Sequence, residues 1–76
     1  MSELTFGEKA VGIRFNPGKN PDVNDAKETM AKAIDQMNNF RERSGLSAEH
    51  RRLASIAITH LQEAQMWMVK AITWEE

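Results

Sequence analysis

The last helical segment of this chain carries more apolar surface than one partner helix can cover. From Leu53 to Trp74 the run reads LASIAITHLQEAQMWMVKAITW. Leu53, Ala57, Leu61, Ala64, Met68, Ala71 and Ile72 recur at helical spacing and predict one apolar face. Ala54, Ile56, Ile58, Met66, Val69 and Trp74 spread well beyond it. A helix that is apolar most of the way round is buried from several sides. In a chain of 76 residues, that burial is expected from further copies of the same chain.

The size makes the same point. A single domain this small is marginal alone and needs some additional support. The chain has no cysteine, which removes disulfides, thiolate metal sites and cysteine nucleophiles. Association is the simple alternative, because binding to the folded state stabilises it. The formal net charge of -1 argues against a DNA or RNA polymer as partner. A small phosphate ligand needs only one or two local cations and remains open. There is no cationic start before an apolar run, nor an apolar stretch of membrane-spanning length, so a cytoplasmic location is expected.

The predicted fold class is all-α, a single domain over 1–76. An irregular arm over 1–20 leads into helices over 21–44 and 47–74. The arm is punctuated by Gly7, Gly12 and Gly18, with a turn-prone Asn16-Pro17-Gly18 step and room for a helical turn around Glu8 to Val11. Phe6, Val11 and Ile13 are expected to lid the core. Asn20 is the expected N-cap, with Pro21 at the first helical position. Val23, Ala26, Met30, Ala33, Ile34, Met37 and Phe40 then form one stripe, and Gly45 follows as a helix stop. Ser47 offers the next N-cap. So short a connection makes the two helices an antiparallel hairpin.

Catalytic patterns are thin. His50 and His60 lack the i+4 partner of a helical zinc pair, so no metal and no cofactor are expected. Asp35 has no evident carboxylate partner, and Glu63, among apolar neighbours and with room to be partly buried, is expected to make a salt bridge or a hydrogen bond across a subunit interface. No nucleophile–base pair, P-loop or dinucleotide fingerprint occurs, so the chain is not expected to be an enzyme. Trp67 and Trp74 share a helix face by their spacing, and Trp67, with Leu61, Ala64 and Met68, is the expected oligomer core.

Two polar sets remain. Phe15, Asn16 and Pro17 put a ring, an amide and a rigid turn together, and Lys27 lies at the edge of the first helix stripe. A ring stacks on a nucleobase, an amide reads its edge and an ammonium pairs with a phosphate. The plain alternative is a docked arm beside a surface lysine. Arg52, Ser55 and Thr59 line one face of the second helix, where a guanidinium and two hydroxyls suit phosphate oxygens. Here the alternative is a solvated stripe whose hydroxyls bond back to helix carbonyls.

These residues resemble a known family, the small phage-encoded anti-CBASS and anti-Thoeris hairpin-domain proteins. The similarity covers roughly residues 13–73. Its most specific part is Arg52, Ser55, Ala57, Thr59, Leu61, Glu63, Ala64, Met66, Trp67 and Ala71-Ile72, which resembles the family's C-terminal helix. Phe15-Asn16-Pro17 resembles its aromatic–polar–proline step, and Lys27 its early basic residue. The resemblance implies hexamers of helical hairpins that sequester cyclic-oligonucleotide immune signals without cleaving them. It implies a cyclic dinucleotide site at Phe15, Asn16, Pro17 and Lys27, between protomers. It implies a second, cyclic trinucleotide pocket at Arg52, Ser55 and Thr59. Two departures stand out: the aromatic is Phe15 where the family often has tyrosine, and the arm is longer than in short members. The rival expectation is a structural or adaptor oligomer, such as a virion accessory protein or a host-protein inhibitor.

Overall fold

A computed structural model describes residues 3–75; the first two positions of the expected arm and the last of the chain lie outside the described residues. Three helices follow in order: α1 (Phe6–Val11), α2 (Pro21–Arg41) and α3 (Ala48–Thr73). The described residues contain no strand. Helices α2 and α3 pack along their length, and α1 packs on α2 while scarcely touching α3. The result is a slab with principal Cα extents of 48 × 33 × 12 Å.

The arm is more ordered than its glycines suggest. Thr5 caps α1, with its hydroxyl accepting from the Glu8 N–H at 3.0 Å and the Glu8 carboxylate accepting from the Thr5 N–H at 2.8 Å. This reciprocal pair satisfies two otherwise orphaned donors. Gly12 ends the helix in the left-handed region at φ 62°, a conformation that needs no Cβ. Gly7 decides how closely α1 sits on α2. A Cβ on it would lie 2.0 Å from the Ala31 carbonyl oxygen, and its own N–H donates to Asp35 Oδ1 at 2.6 Å. Asp35, which lacks a partner in the sequence pattern, therefore fastens the start of α1.

Helix α2 begins where Asn20 accepts from the N–H groups of Asp22 and Val23 at 2.9 and 3.3 Å. It ends at Arg41, before the expected limit, because the chain tightens there: the Glu42 and Arg43 N–H groups both turn back to the Phe40 carbonyl. Gly45, at φ 82°, makes the bend into α3 instead. Ser47 caps α3, accepting from the His50 N–H, and His50 Nδ1 lies 2.7 Å from the Ser47 hydroxyl. His50 thus completes a cap.

The core is small. Val11, Ala31, Ile34 and Ile58 form it, with Ala10, Ile13, Met30, Met37 and Leu61 packed around them. Ile34 is the one large side chain fully buried among the described residues. Val11 and Ile13 cover the hairpin as expected. Phe6 does not, and lies half exposed with the Arg41 guanidinium 5.3 Å from its ring centroid. Glu63 is exposed rather than buried and reaches His60 at 3.7 Å. Leu53, Ile56, Met66, Trp67 and Trp74 are all exposed. The chain exposes 5677 Å². A compact monomer of this mass exposes about 4,700 Å².

Gly7→Ala is expected to push α1 off α2, at a cost of about 1–3 kcal/mol for overpacking. Urea unfolding followed by circular dichroism measures it; an unchanged midpoint would show that α1 does not depend on this approach.

Candidate functional site

The antiparallel hairpin sets the end of α3 beside the start of α2, and the arm returns across the same end. Between them lies a cavity of about 420 Å³. Phe15, Asn16, Pro17 and the N-cap Asn20 line it from the arm, Val23 and Lys27 from α2, and Val69, Ile72 and Thr73 from α3. Its size falls at the lower end of small-molecule sites, and its mixture of apolar walls with a few polar groups is typical of them. All four residues of the first expected set meet here. The α3 residues were not singled out by the sequence pattern. The signal for them is the hairpin itself, since antiparallel pairing must bring residues near 70 alongside residues near 23.

Each side chain has a definite local role. Asn16 and Lys19 close a turn, the Lys19 N–H donating to the Asn16 carbonyl at 3.0 Å with Pro17 and Gly18 at the corners. The Asn16 amide binds the Asn20 main chain on both sides, donating to its carbonyl at 2.8 Å and accepting from its N–H at 3.2 Å. These two bonds fix the shape of the arm. Phe15 is 73% exposed, so much of its ring is accessible. Lys27, expected at the edge of the helix stripe, is not the surface lysine of the plain alternative. It is only 4% exposed, and its ammonium donates to the carbonyls of Gly12, at 3.0 Å, and Phe15. The same ammonium lies 5.4 Å from the Phe15 ring centroid. No carboxylate pairs with it among the described residues. The cavity wall thus carries one buried ammonium held by carbonyl oxygens, with the Glu75 side chain also on its lining.

The second expected set has a different character. Arg52 holds Glu49 through two hydrogen bonds of 2.9 and 2.7 Å, and the pair is exposed. The guanidinium draws the Glu49 carboxyl below its usual range, and the carboxylate raises Arg52. The hydroxyls of Ser55 and Thr59 donate back to the carbonyls of Arg51 and Ser55 at 2.9 and 3.2 Å. Ser55 also accepts from Arg41 Nη1 at 2.9 Å, a cross-helix contact that spacing within one helix could not reveal. In the single chain these residues share a face without enclosing a cavity.

The expected oligomer core is divided. Leu61 packs on the chain's own core and Met68 is half-buried, whereas Ala64 and Trp67 are exposed. Lys70 lies 5.4 Å from the Trp67 ring centroid. No group of acidic or histidine side chains with metal-binding geometry occurs among the described residues. No helix of the described residues is long and apolar enough to cross a membrane.

Asn16→Ala would leave the Asn20 N–H without its partner and the Asn20 carbonyl with the Asn24 N–H alone. Two hydrogen bonds at their usual net worth predict a loss of about 1–3 kcal/mol in urea unfolding, concentrated in the arm. No change in stability would show that Pro17 and Gly18 shape the turn unaided.

No curated protein and no solved structure is similar to the chain at a significant level. A family model does match, over residues 8–73, nearly the whole of the described hairpin and most of the arm. The chain belongs to the Acb2/Tad1 hairpin-domain family, phage anti-defence proteins that bind cyclic-nucleotide immune signals and sequester them.

Proposed function

We propose that this chain is a sponge for cyclic dinucleotides, which it binds between subunits and leaves intact. The observation that carries the reading is the cavity at the open end of the hairpin. There an exposed aromatic ring stands beside a buried ammonium that no carboxylate neutralises among the described residues. A base stacks on Phe15, and the cation attracts the phosphate. Asn16 and Pro17 support the turn from behind. The cavity, about 420 Å³ in volume, suits one nucleotide of the ligand, so the other half requires a second copy of the site. Symmetry of the ligand then matches symmetry of the oligomer.

The assembly is proposed to be a hexamer. Ala64, exposed Trp67, Ala71 and exposed Trp74 follow one another in steps of three and four from α3 into its C-cap. That is the period of a helix–helix seam, and alanine allows close approach. Arg52, Ser55 and Thr59 are proposed to complete a second pocket, for cyclic trinucleotides, where subunits meet. The place of action is the cytoplasm of the infected bacterium. An adaptor or structural oligomer would use the same exposed α3 stripe but would have no need of the cavity.

Calorimetry with 3′,3′-cyclic di-AMP, 3′,3′-cyclic GMP-AMP, a cyclic triadenylate and cyclic ADP-ribose isomers tests the ligand class. Intact nucleotide recovered after heat denaturation is the expected outcome, and a cleaved product would make the protein an enzyme. Phe15→Ala is expected to weaken dinucleotide binding roughly tenfold, equivalent to about 1.4 kcal/mol and within the range of one base stack. Helicity and oligomer mass should not change. Wild-type affinity in that variant would hand the lead to the adaptor reading. Native mass spectrometry should give six copies, and a stable monomer at micromolar concentration refutes the assembly. Arg52→Ala should weaken only the trinucleotide; if it alters no ligand, the second pocket does not exist.

A further inference from the structure

We propose that Lys27 is a positioning residue: its ammonium clamps the arm to α2 and holds Phe15 in place before any ligand arrives. Lysine at a buried helical position is costly unless its N–H groups are satisfied. Here the satisfaction comes entirely from the arm. An ammonium has three donors and no acceptor. Two of those donors go to the carbonyls of Gly12 and Phe15, residues 15 and 12 positions away in sequence. Charge-assisted bonds of this kind are stronger than neutral ones.

The two carbonyls bracket one small loop. The Phe15 N–H donates to the Gly12 carbonyl at 2.9 Å, so the loop closes on itself and Lys27 bridges both of its ends. Ile13 packs on the core and the Asn16 amide ties the far side of the loop to Asn20, but Gly12, Arg14 and the Phe15 ring are exposed, and the Phe15 carbonyl is held by the Lys27 ammonium. The ammonium also lies near the ring it positions. One N–H remains for a ligand anion.

The consequence for ligand binding rests on the cyclic-nucleotide reading of the cavity, whereas the clamp is a property of the ligand-free chain. A loop already ordered adds no ordering cost when a ligand binds. A lysine that merely contacted phosphate would leave the ligand-free arm untouched on replacement. A clamp would not.

Two measurements on the ligand-free protein decide the matter. Lys27→Met keeps the apolar stem and removes the charge. Hydrogen exchange over residues 12–19 should accelerate roughly tenfold in that variant, with α2 and α3 exchange and helicity preserved. Lys27→Arg, which restores charged donors, should recover part of the protection. Unchanged exchange over 12–19 in the Met variant overturns the clamp. If the Met variant fails to fold, nitrogen-15 spectra of the wild type decide. A clamped Lys27 gives a slowly exchanging ammonium signal with cross-peaks to Gly12 and Phe15, and its absence at neutral pH overturns the proposal. Calorimetry with 3′,3′-cyclic di-AMP separates the two levels. A wild type that binds no cyclic nucleotide but shows the protected ammonium refutes the sponge and keeps the clamp.

Discussion

The structure depends on the burial of one side chain: Ile34, the one large residue fully buried among the described residues, sits where α1 and α3 both pack on α2. A core this small leaves much of the chain's apolar surface outside it. The broad surfaces of the slab stay open, and α3 presents Leu53, Ile56, Met66 and Trp67 to them.

The arm is the part that turns a hairpin into a site. Gly7 lets α1 approach the α2 backbone, and Asp35 holds it there by its N–H. Gly12 then stops α1 so that the chain folds back toward the start of α2. From that point the contacts are polar: Lys27 to the carbonyls of Gly12 and Phe15, and Asn16 to the main chain of Asn20. Buried polar groups bonded in this way specify one conformation more sharply than an apolar contact does. The aromatic ring is left exposed while its backbone is fixed, an arrangement suited to stacking on a flat ligand at small entropic cost.

The two candidate sites differ in how much of each belongs to a single chain. Around Phe15 the subunit already supplies a wall from the arm, a cation from α2 and an apolar side from α3. Along Arg52, Ser55 and Thr59 the polar atoms are engaged locally, with Glu49 and with helix carbonyls. Any pocket there depends on what a neighbouring subunit adds and on whether a ligand outcompetes those local bonds. Exposed bonds of this type are weak enough to exchange.

Much was legible in the residues alone. Asn20, Pro21 and Ser47 mark helix starts because capping chemistry is local, and the apolar period of α2 depends only on neighbours three and four apart. The excess apolar surface of α3 and the Phe15-Asn16-Pro17 step are likewise properties of short segments. What the sequence could not disclose are contacts between residues far apart in it. Lys27 reads as a charge at the edge of the helix stripe because its two carbonyl partners come from a loop 12 and 15 residues earlier. Asp35 reads as unpartnered because its donor is a glycine N–H 28 residues away. Phe6 reads as a lid because its hydrophobicity is visible, whereas its position beside Arg41 is not. Backbone groups carry no sequence signature, so the burial and orientation of a charge bonded to them were decided by the tertiary fold.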